Sequence, residues 1–303
     1  MRGADFIKMH GLGNDFVVLD ARAHAIAIDA EAARAIADRH RGVGCDQLIV
    51  IEPARDPQCA FAYNVWNTDG TRSGQCGNGL RCVARWLQRA GVLGAGMTRL
   101  ESPSGPVTIE QFASGEVCAD MGEPRFAPAA IPIRVDANAV DDEHASYAID
   151  VAGRRLHVGA VSMGNPHALV EVDDIAATPV EVLGAQIECA DAFPQGCNVG
   201  FAQVLARDVL ALRVWERGVG ETLACGSGAC AAVALLRRRG KLDDDVRVKL
   251  PGGELGIHWK GPGHPLWMRG PAAFVFEGEL STSGNGATES NDQEAGSAKV
   301  RIS

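Results

Sequence analysis

The chain has 303 residues, 46% hydrophobic and 22% charged, which is too apolar for a disordered protein and is enough to build two domains. With 29 Lys and Arg against 38 Asp and Glu, its formal net charge is −9, so it lacks the basic face that a nucleic-acid binder needs. No apolar run approaches the roughly 20 residues that span a bilayer, and the start, MRGADFIKMHG, lacks the apolar region of a secretory leader. A cytoplasmic protein with no membrane partner is expected.

Short strand-like runs come first in chain order: Phe16–Asp20, Gln47–Glu52 and Ala60–Trp66. A helix is predicted over Ala30–His40, with Asp29 as its N-cap. A second helix opens at a Gly-rich turn and runs Gly77–Ala90, followed by strands Val107–Gln111 and Glu116–Met121. Strands then dominate: Tyr147–Val151, Arg154–Ala160, Ala168–Val172, Val199–Ala206 and Val209–Trp215. A third helix, Gly226–Arg239, opens at another Gly-rich turn. Strands Val246–Leu250 and Ala273–Glu279 close the pattern. This is an α+β chain with much antiparallel sheet and a few buried helices. Residues 281–303 are rich in Ser, Gly, Asn, Thr and Glu and read as a flexible tail.

The nine cysteines are Cys45, Cys59, Cys76, Cys82, Cys118, Cys189, Cys197, Cys225 and Cys230. The number is odd and no pair has CxxC spacing, so neither a disulfide framework nor a metal site is expected. Most should be small buried hydrophobes. Two stand apart. Cys76-Gly77-Asn78-Gly79 and Cys225-Gly226-Ser227-Gly228 lie 149 residues apart and form a weak internal repeat. Leu80, Val83, Ala84 and Leu87 follow Cys76 at the same offsets as Ala229, Ala232, Val233 and Leu236 follow Cys225. Both sets mark a helix with one buried face. A polar residue, Asn67 or Glu216, sits nine positions before each cysteine. Two related domains facing one another are expected.

The chemistry of such turns is specific. A helix N-terminus carries free N–H groups and roughly half a positive charge, so it attracts anions and favours a thiolate. Two opposed thiols can invert a carbon centre: one removes the α-proton, the other returns a proton to the opposite face. The N–H groups of both helix starts would hold the carboxylate. One such turn alone more often reflects mere capping; the matched pair carries the inference.

Several blocks, in order, resemble diaminopimelate epimerase. They are Lys8-Met9-His10-Gly11-Leu12-Gly13-Asn14-Asp15-Phe16, Gly44-Cys45-Asp46-Gln47, Asn67-Thr68-Asp69-Gly70 and Gln75-Cys76-Gly77-Asn78-Gly79-Leu80-Arg81-Cys82. Met163-Gly164-Asn165-Pro166-His167, Asn198-Val199-Gly200-Phe201, Glu216-Arg217-Gly218 and Thr222-Leu223-Ala224-Cys225-Gly226-Ser227-Gly228 follow. The resemblance spans about residues 5 to 278.

It implies two pseudo-symmetric domains, each a barrel-like, mostly antiparallel sheet around a central helix. The divisions would be 1–124 and 125–268, with a final strand near 269–280 returning to the first domain. It implies epimerisation of LL-2,6-diaminopimelate to the meso form, on the route to lysine and peptidoglycan, without pyridoxal phosphate, metal or other cofactor. Cys76 and Cys225 would be the acid/base pair. Gly77, Asn78, Gly226 and Ser227 would bind the reacting-end carboxylate. Asn14, Gln47, Asn67, Asn165, Asn198, Glu216 and Arg217 would read the rest of the substrate, Arg217 as a carboxylate clamp and Glu216 as an ammonium acceptor. His167, with Glu216, would orient a partner or tune a thiol. A homodimer is implied too. Individually, Asn14, Asn67 and Asn198 also suit turns, His167 a structural histidine, and Glu216 with Arg217 a surface pair.

Three alternatives differ at identifiable points. Proline and hydroxyproline racemases carry His where Asn78 stands. The phenazine-pathway isomerase lacks the cysteine pair. A thiol redox sensor would switch by joining Cys76 to Cys225 and would not exchange a substrate α-proton.

Overall fold

Each Cys-Gly-x-Gly turn opens a helix in the computed structural model, which describes residues 4–74, 76–134, 140–141, 145–280 and 301–302. The chain forms two compact units: Met1–Gly11, Asp15–Gly115 and Ala272–Ser303 make unit 1, and Leu12–Asn14 with Glu116–Pro271 make unit 2.

The first part of the chain supplies β1 (Ala4–Gly11), β2 (Asn14–Asp20), α1 (Ala30–Ala37), β3 (Gln47–Pro53), β4 (Phe61–Asn67), β5 (Arg72–Ser73), α2 (Gly77–Arg89), β6 (Gly96–Ser102) and β7 (Gly105–Gln111). The second supplies β8 (Val117–Asp120), β9 (Val140–Asp141), β10 (Ser146–Val151), β11 (Arg154–Ser162), β12 (Pro166–Glu171), α3 (Val180–Glu188) and β13 (Asn198–Ala206). It continues with β14 (Val209–Glu216), β15 (Gly220–Thr222), α4 (Gly226–Arg238), β16 (Asp245–Leu250), β17 (Gly253–His258) and β18 (Trp267–Gly270). In unit 1, β19 (Ala273–Leu280) lies antiparallel to β1. Of the tail, 281–300 and 303 lie outside the described residues; Arg301–Ile302 form β20, which pairs with Phe276 and Glu277.

The two units repeat one order of pairing. In unit 1, β2 runs parallel to β3, β3 antiparallel to β4, and β4 antiparallel to β5; after α2, β6 returns parallel to β4 and turns back into β7. In unit 2 the same steps are made by β12, β13, β14 and β15, then α4, β16 and β17. Each unit is thus a barrel-like, largely antiparallel sheet around a helix.

The central helices follow from their sequences. Leu80, Val83, Ala84 and Leu87 on α2 are fully buried, as are Ala229, Ala232, Val233 and Leu236 on α4. Ala231, Ala234 and Leu235 are buried too, so α4 is apolar almost all round and sits inside unit 2. Helix α1 begins at the Asp29 cap, whose carboxylate accepts from Ala32 N at 2.8 Å. It stops at Ala37 rather than His40 because the Asp38 carboxylate accepts from His40 N and Arg41 N instead, forming a local turn. Among the described residues no helix is long and apolar enough to cross a membrane.

Candidate active site

In unit 1, β4 ends at Asn67, and the chain passes through β5 to Cys76, the N-cap of α2. The cap is the thiol itself: Cys76 Sγ accepts from Gly79 N at 3.4 Å. Gly79 has no room for a side chain, since an added Cβ would lie 2.8 Å from Ile49 Cδ1 and 3.2 Å from Phe16 Cε1. The helix start is thereby pressed onto the sheet. Cys76 stays partly exposed, with Gly77 beside it and Asn78 buried.

Asn78 is held from the helix. Its Oδ1 accepts from Arg81 Nη2 at 2.8 Å, and Arg81 Nη1 reaches Gly77 O at 3.3 Å. Arg81 is fully buried. Gly11 makes room for this pair, for a Cβ there would lie 3.1 Å from Arg81 Nη2 and 3.2 Å from Asn78 Cβ. Arg81 was not among the expected site residues; its signal is a cation one turn after Asn78 in the block that follows Cys76.

Gln47 and Asn67 stand opposite each other on β3 and β4, and Gln47 Nε2 donates to Asn67 Oδ1 at 2.9 Å. Asn67 Nδ2 donates in turn to Thr71 Oγ1 at 3.0 Å. The segment leading to Gln47 is fixed by charge. Asp15 receives Lys8 at 2.6 Å and Arg39 at 2.7 Å, and the Asp15 and Asp46 carboxylates each accept from the other's backbone N–H. Burial pushes the Asp15 carboxyl up, but Arg39 and Lys8 outweigh it and hold it well below the usual range. Lys8 also donates to Gly44 O. The first two sequence blocks are knitted together by this network.

In unit 2, β14 ends at Glu216, the position equivalent to Asn67, and β15 leads to Cys225, the N-cap of α4. Cys225 Sγ accepts from Gly228 N at 3.4 Å and lies 3.6 Å from Ser227 Oγ. Cys225 and Gly226 are buried; Ser227 is half-buried. The Glu216 carboxylate accepts from Thr222 Oγ1 at 2.6 Å, and its charge bears on the thiol. Burial first, then the Glu216 charge, push the Cys225 thiol well above its ordinary value, against the pull of Ser227 and Gly228. The helix N-terminus was expected to favour a thiolate. In this state desolvation and a neighbouring carboxylate win, and Cys225 is a thiol.

Asn165, His167, Asn198 and Arg217 form a linked set in the same unit. His167 and Asn198 are register partners on β12 and β13. With Nε2 protonated, His167 donates to Asn165 Oδ1 at 3.0 Å. Burial, then the Arg217 guanidinium, hold the His167 pKa down at about 3, so the ring is uncharged at neutral pH. Asn198 Nδ2 donates to Pro166 O at 3.3 Å, and its Oδ1 accepts from Arg217 N at 3.1 Å. The Arg217 side chain is exposed, with Nη1 donating to Gln195 O at 3.0 Å, and it lines a groove of about 500 Å³ with Arg134, Glu188 and Cys189. Asn14 is half-buried at the start of β2.

Asn14 apart, the expected residues thus fall into two sets, one per unit, each unit having a helix capped by a cysteine. Of the other seven thiols, Cys45, Cys59, Cys82, Cys197 and Cys230 are buried, whereas Cys118 is half-buried and Cys189 exposed. Burial pushes the Cys82 thiol up to about 12, the behaviour of an inert core cysteine.

The same architecture is found in solved structures. A hydroxyproline epimerase from Agrobacterium vitis matches with a TM-score of 0.67 over 94% of this chain and 95% of its own, at 16% identity. A phenazine biosynthesis protein of the PhzF family from Bacillus anthracis matches with a TM-score of 0.66 over 93% and 100%, also at 16% identity. Those likenesses establish the fold. The sequence decides within it. The diaminopimelate epimerase family pattern matches residues 6–127 and 159–275. The diaminopimelate epimerase of Xanthomonas campestris pv. campestris is 52% identical over 274 residues, 90% of this chain and 95% of that protein. Its counterpart from Xanthomonas axonopodis pv. citri is 51% identical over the same span. The chain belongs to the diaminopimelate epimerase family.

Proposed function

We infer that this chain epimerises LL-2,6-diaminopimelate to the meso form, with Cys76 and Cys225 as its acid/base pair. The observation that carries the assignment of roles is the matched cap: in both units a cysteine Sγ accepts from the N–H three residues on, at 3.4 Å, at the start of a buried helix. One thiolate takes the α-proton. The other thiol delivers a proton to the opposite face of the same carbon, and the charge developing on the carboxylate is met by helix N–H groups at Gly77, Asn78, Gly226 and Ser227.

Cys225 rests as the acid. When it serves as base instead, its proton passes to the Glu216 carboxylate, whose charge bears on the thiol, as sulfur takes the proton from carbon. The remaining polar groups suit a substrate with two ammonium and two carboxylate groups. Arg217 offers a fork for the distal carboxylate, and Asn14, Gln47, Asn67, Asn165 and Asn198 offer amide oxygens and N–H groups. His167, neutral and bonded to Asn165, orients that amide. The reading includes a cytoplasmic homodimer, for which light scattering on the purified chain is the test.

The deciding experiment is inversion of LL-diaminopimelate in deuterated water with no added cofactor. Wild-type protein should invert the centre and incorporate deuterium at the α-carbon. Cys76→Ala and Cys225→Ala should each lose at least about 10²–10⁴-fold, while Cys82→Ala and Cys230→Ala keep most activity. Retention of activity by Cys76→Ala or Cys225→Ala overturns the two-thiol reading. Inversion of proline in place of diaminopimelate would move the chain to the racemases.

A further inference from the structure

Glu216 ends β14 and Arg217 opens the short turn to β15, and short turns need anchors. Gly218 and Gly220 both take positive φ there, +73° and +111°. Arg217 N is tied to Asn198, as described. Two further ties meet on one side chain that no sequence block contains. Glu188, the last residue of α3, accepts from the Trp215 indole Nε1 at 2.7 Å through Oε2. Through Oε1 it accepts from Gly218 N at 2.8 Å. The carboxylate therefore grips the residue before Glu216 and the residue after Arg217.

The helix that carries Glu188 is itself seated against that turn. A Cβ on Gly184 would lie 2.5 Å from Trp215 Cγ and 2.6 Å from Trp215 Cβ, so the indole packs directly on the α3 backbone. We propose that Glu188 is a positioning residue: by bridging Trp215 and Gly218 it sets where Glu216 meets the Cys225 thiol and where Arg217 points. Both bonds are charge-assisted and short, the kind that fix geometry. This inference rests on the epimerase reading for the roles of Glu216 and Arg217, but the hold of Glu188 on the turn does not depend on substrate.

The test uses Glu188→Ala, Glu188→Gln and Trp215→Phe in the full chain, with circular dichroism confirming the fold. For Glu188→Ala, KM for LL-diaminopimelate should rise and kcat fall, with kcat/KM down at least about tenfold. Partial unfolding alone would lower apparent kcat and leave KM unchanged. Trp215→Phe and Glu188→Gln, each leaving one bond, should show the same split more weakly. The double variant Glu188→Ala/Trp215→Phe should be no worse than Glu188→Ala, because the indole donor then has nothing to reach.

A second arm needs no substrate. The rate at which methyl methanethiosulfonate modifies Cys225, mapped by mass, follows its thiolate population. With Glu216 displaced in Glu188→Ala, that reaction should set in at lower pH than in wild type. An unchanged KM with an unchanged Cys225 profile, or strictly additive losses in the double variant, overturns the proposal. If wild type fails to invert diaminopimelate, the epimerase reading falls, and the Cys225 profile still decides whether Glu188 holds the turn.

Discussion

His167 ties the stability of unit 2 to pH. Its folded pKa of about 3 compares with an ordinary 6.5, and the first cause is burial, the second the Arg217 guanidinium. The folded chain binds this proton less readily than the unfolded chain. The contribution of the neutral ring to stability is therefore complete above about pH 6.5 and is lost as pH falls towards 3. Between about pH 7 and about pH 4.5 the loss from this one group is about 2–3 kcal/mol, and in full about 4–5 kcal/mol. His167→Gln removes the titration and keeps a donor for Asn165. Urea unfolding of wild type and variant at both pH values separates this term from the carboxylates, which cancel in the comparison. The stability advantage of wild type should shrink by about 2–3 kcal/mol at the lower pH. A gap that stays constant refutes the buried, neutral assignment.

Glu216→Gln removes the charge that opposes Cys225 ionisation, so Cys225 should react with alkylating reagents at lower pH than in wild type. Epimerisation by this variant should fall by about 10²-fold or more; unaltered Cys225 reactivity would separate the carboxylate from the thiol. Gly184→Ala forces a methyl group into the Trp215 indole and should cost about 1–3 kcal/mol in urea unfolding, with a wild-type melting curve as the contrary result.

The parts of the fold written in glycine and periodicity were legible before the structure. Both cysteine-capped helices start where Gly77 and Gly226 predict, and most strands lie within a residue or two of their apolar runs. Helix α3 was not expected, because Gly184 interrupts its pattern and Pro179 offers no side-chain cap. That glycine answers to Trp215, 31 positions away in sequence, and no local pattern reports such a contact. Strand β1 hides for a similar reason: Lys8, polar by type, is buried because Asp15 and Gly44 receive it. Within the site, residue types and order were readable but charge states were not. The helix-start argument favours a thiolate at Cys225. Desolvation and the reach of Glu216 reverse that, and both depend on folding. Arg81, although inside a recognisable block, and Glu188, outside every block, escaped notice because each acts by holding other residues in place.

The repeated order of pairing in the two units has a chemical consequence at its one clear break. Strands β4 and β14 end at equivalent positions, yet one ends in an amide, Asn67, and the other in a carboxylate, Glu216. The amide is spent on Gln47 and Thr71, while the carboxylate accepts from Thr222 and its charge bears on its cysteine. The duplicated scaffold thus gives its two cysteines unlike neighbours, an amide in one unit and a carboxylate in the other. On the two-thiol reading, a turnover that begins at Cys225 passes its proton through oxygen, and one that begins at Cys76 does not do so by the same route. LL and meso substrates enter from opposite faces, so the two directions of one reversible reaction should differ in their solvent isotope effects. On the same reading, Glu216 in one unit where the other has Asn67 would make the two directions of the reaction kinetically unlike.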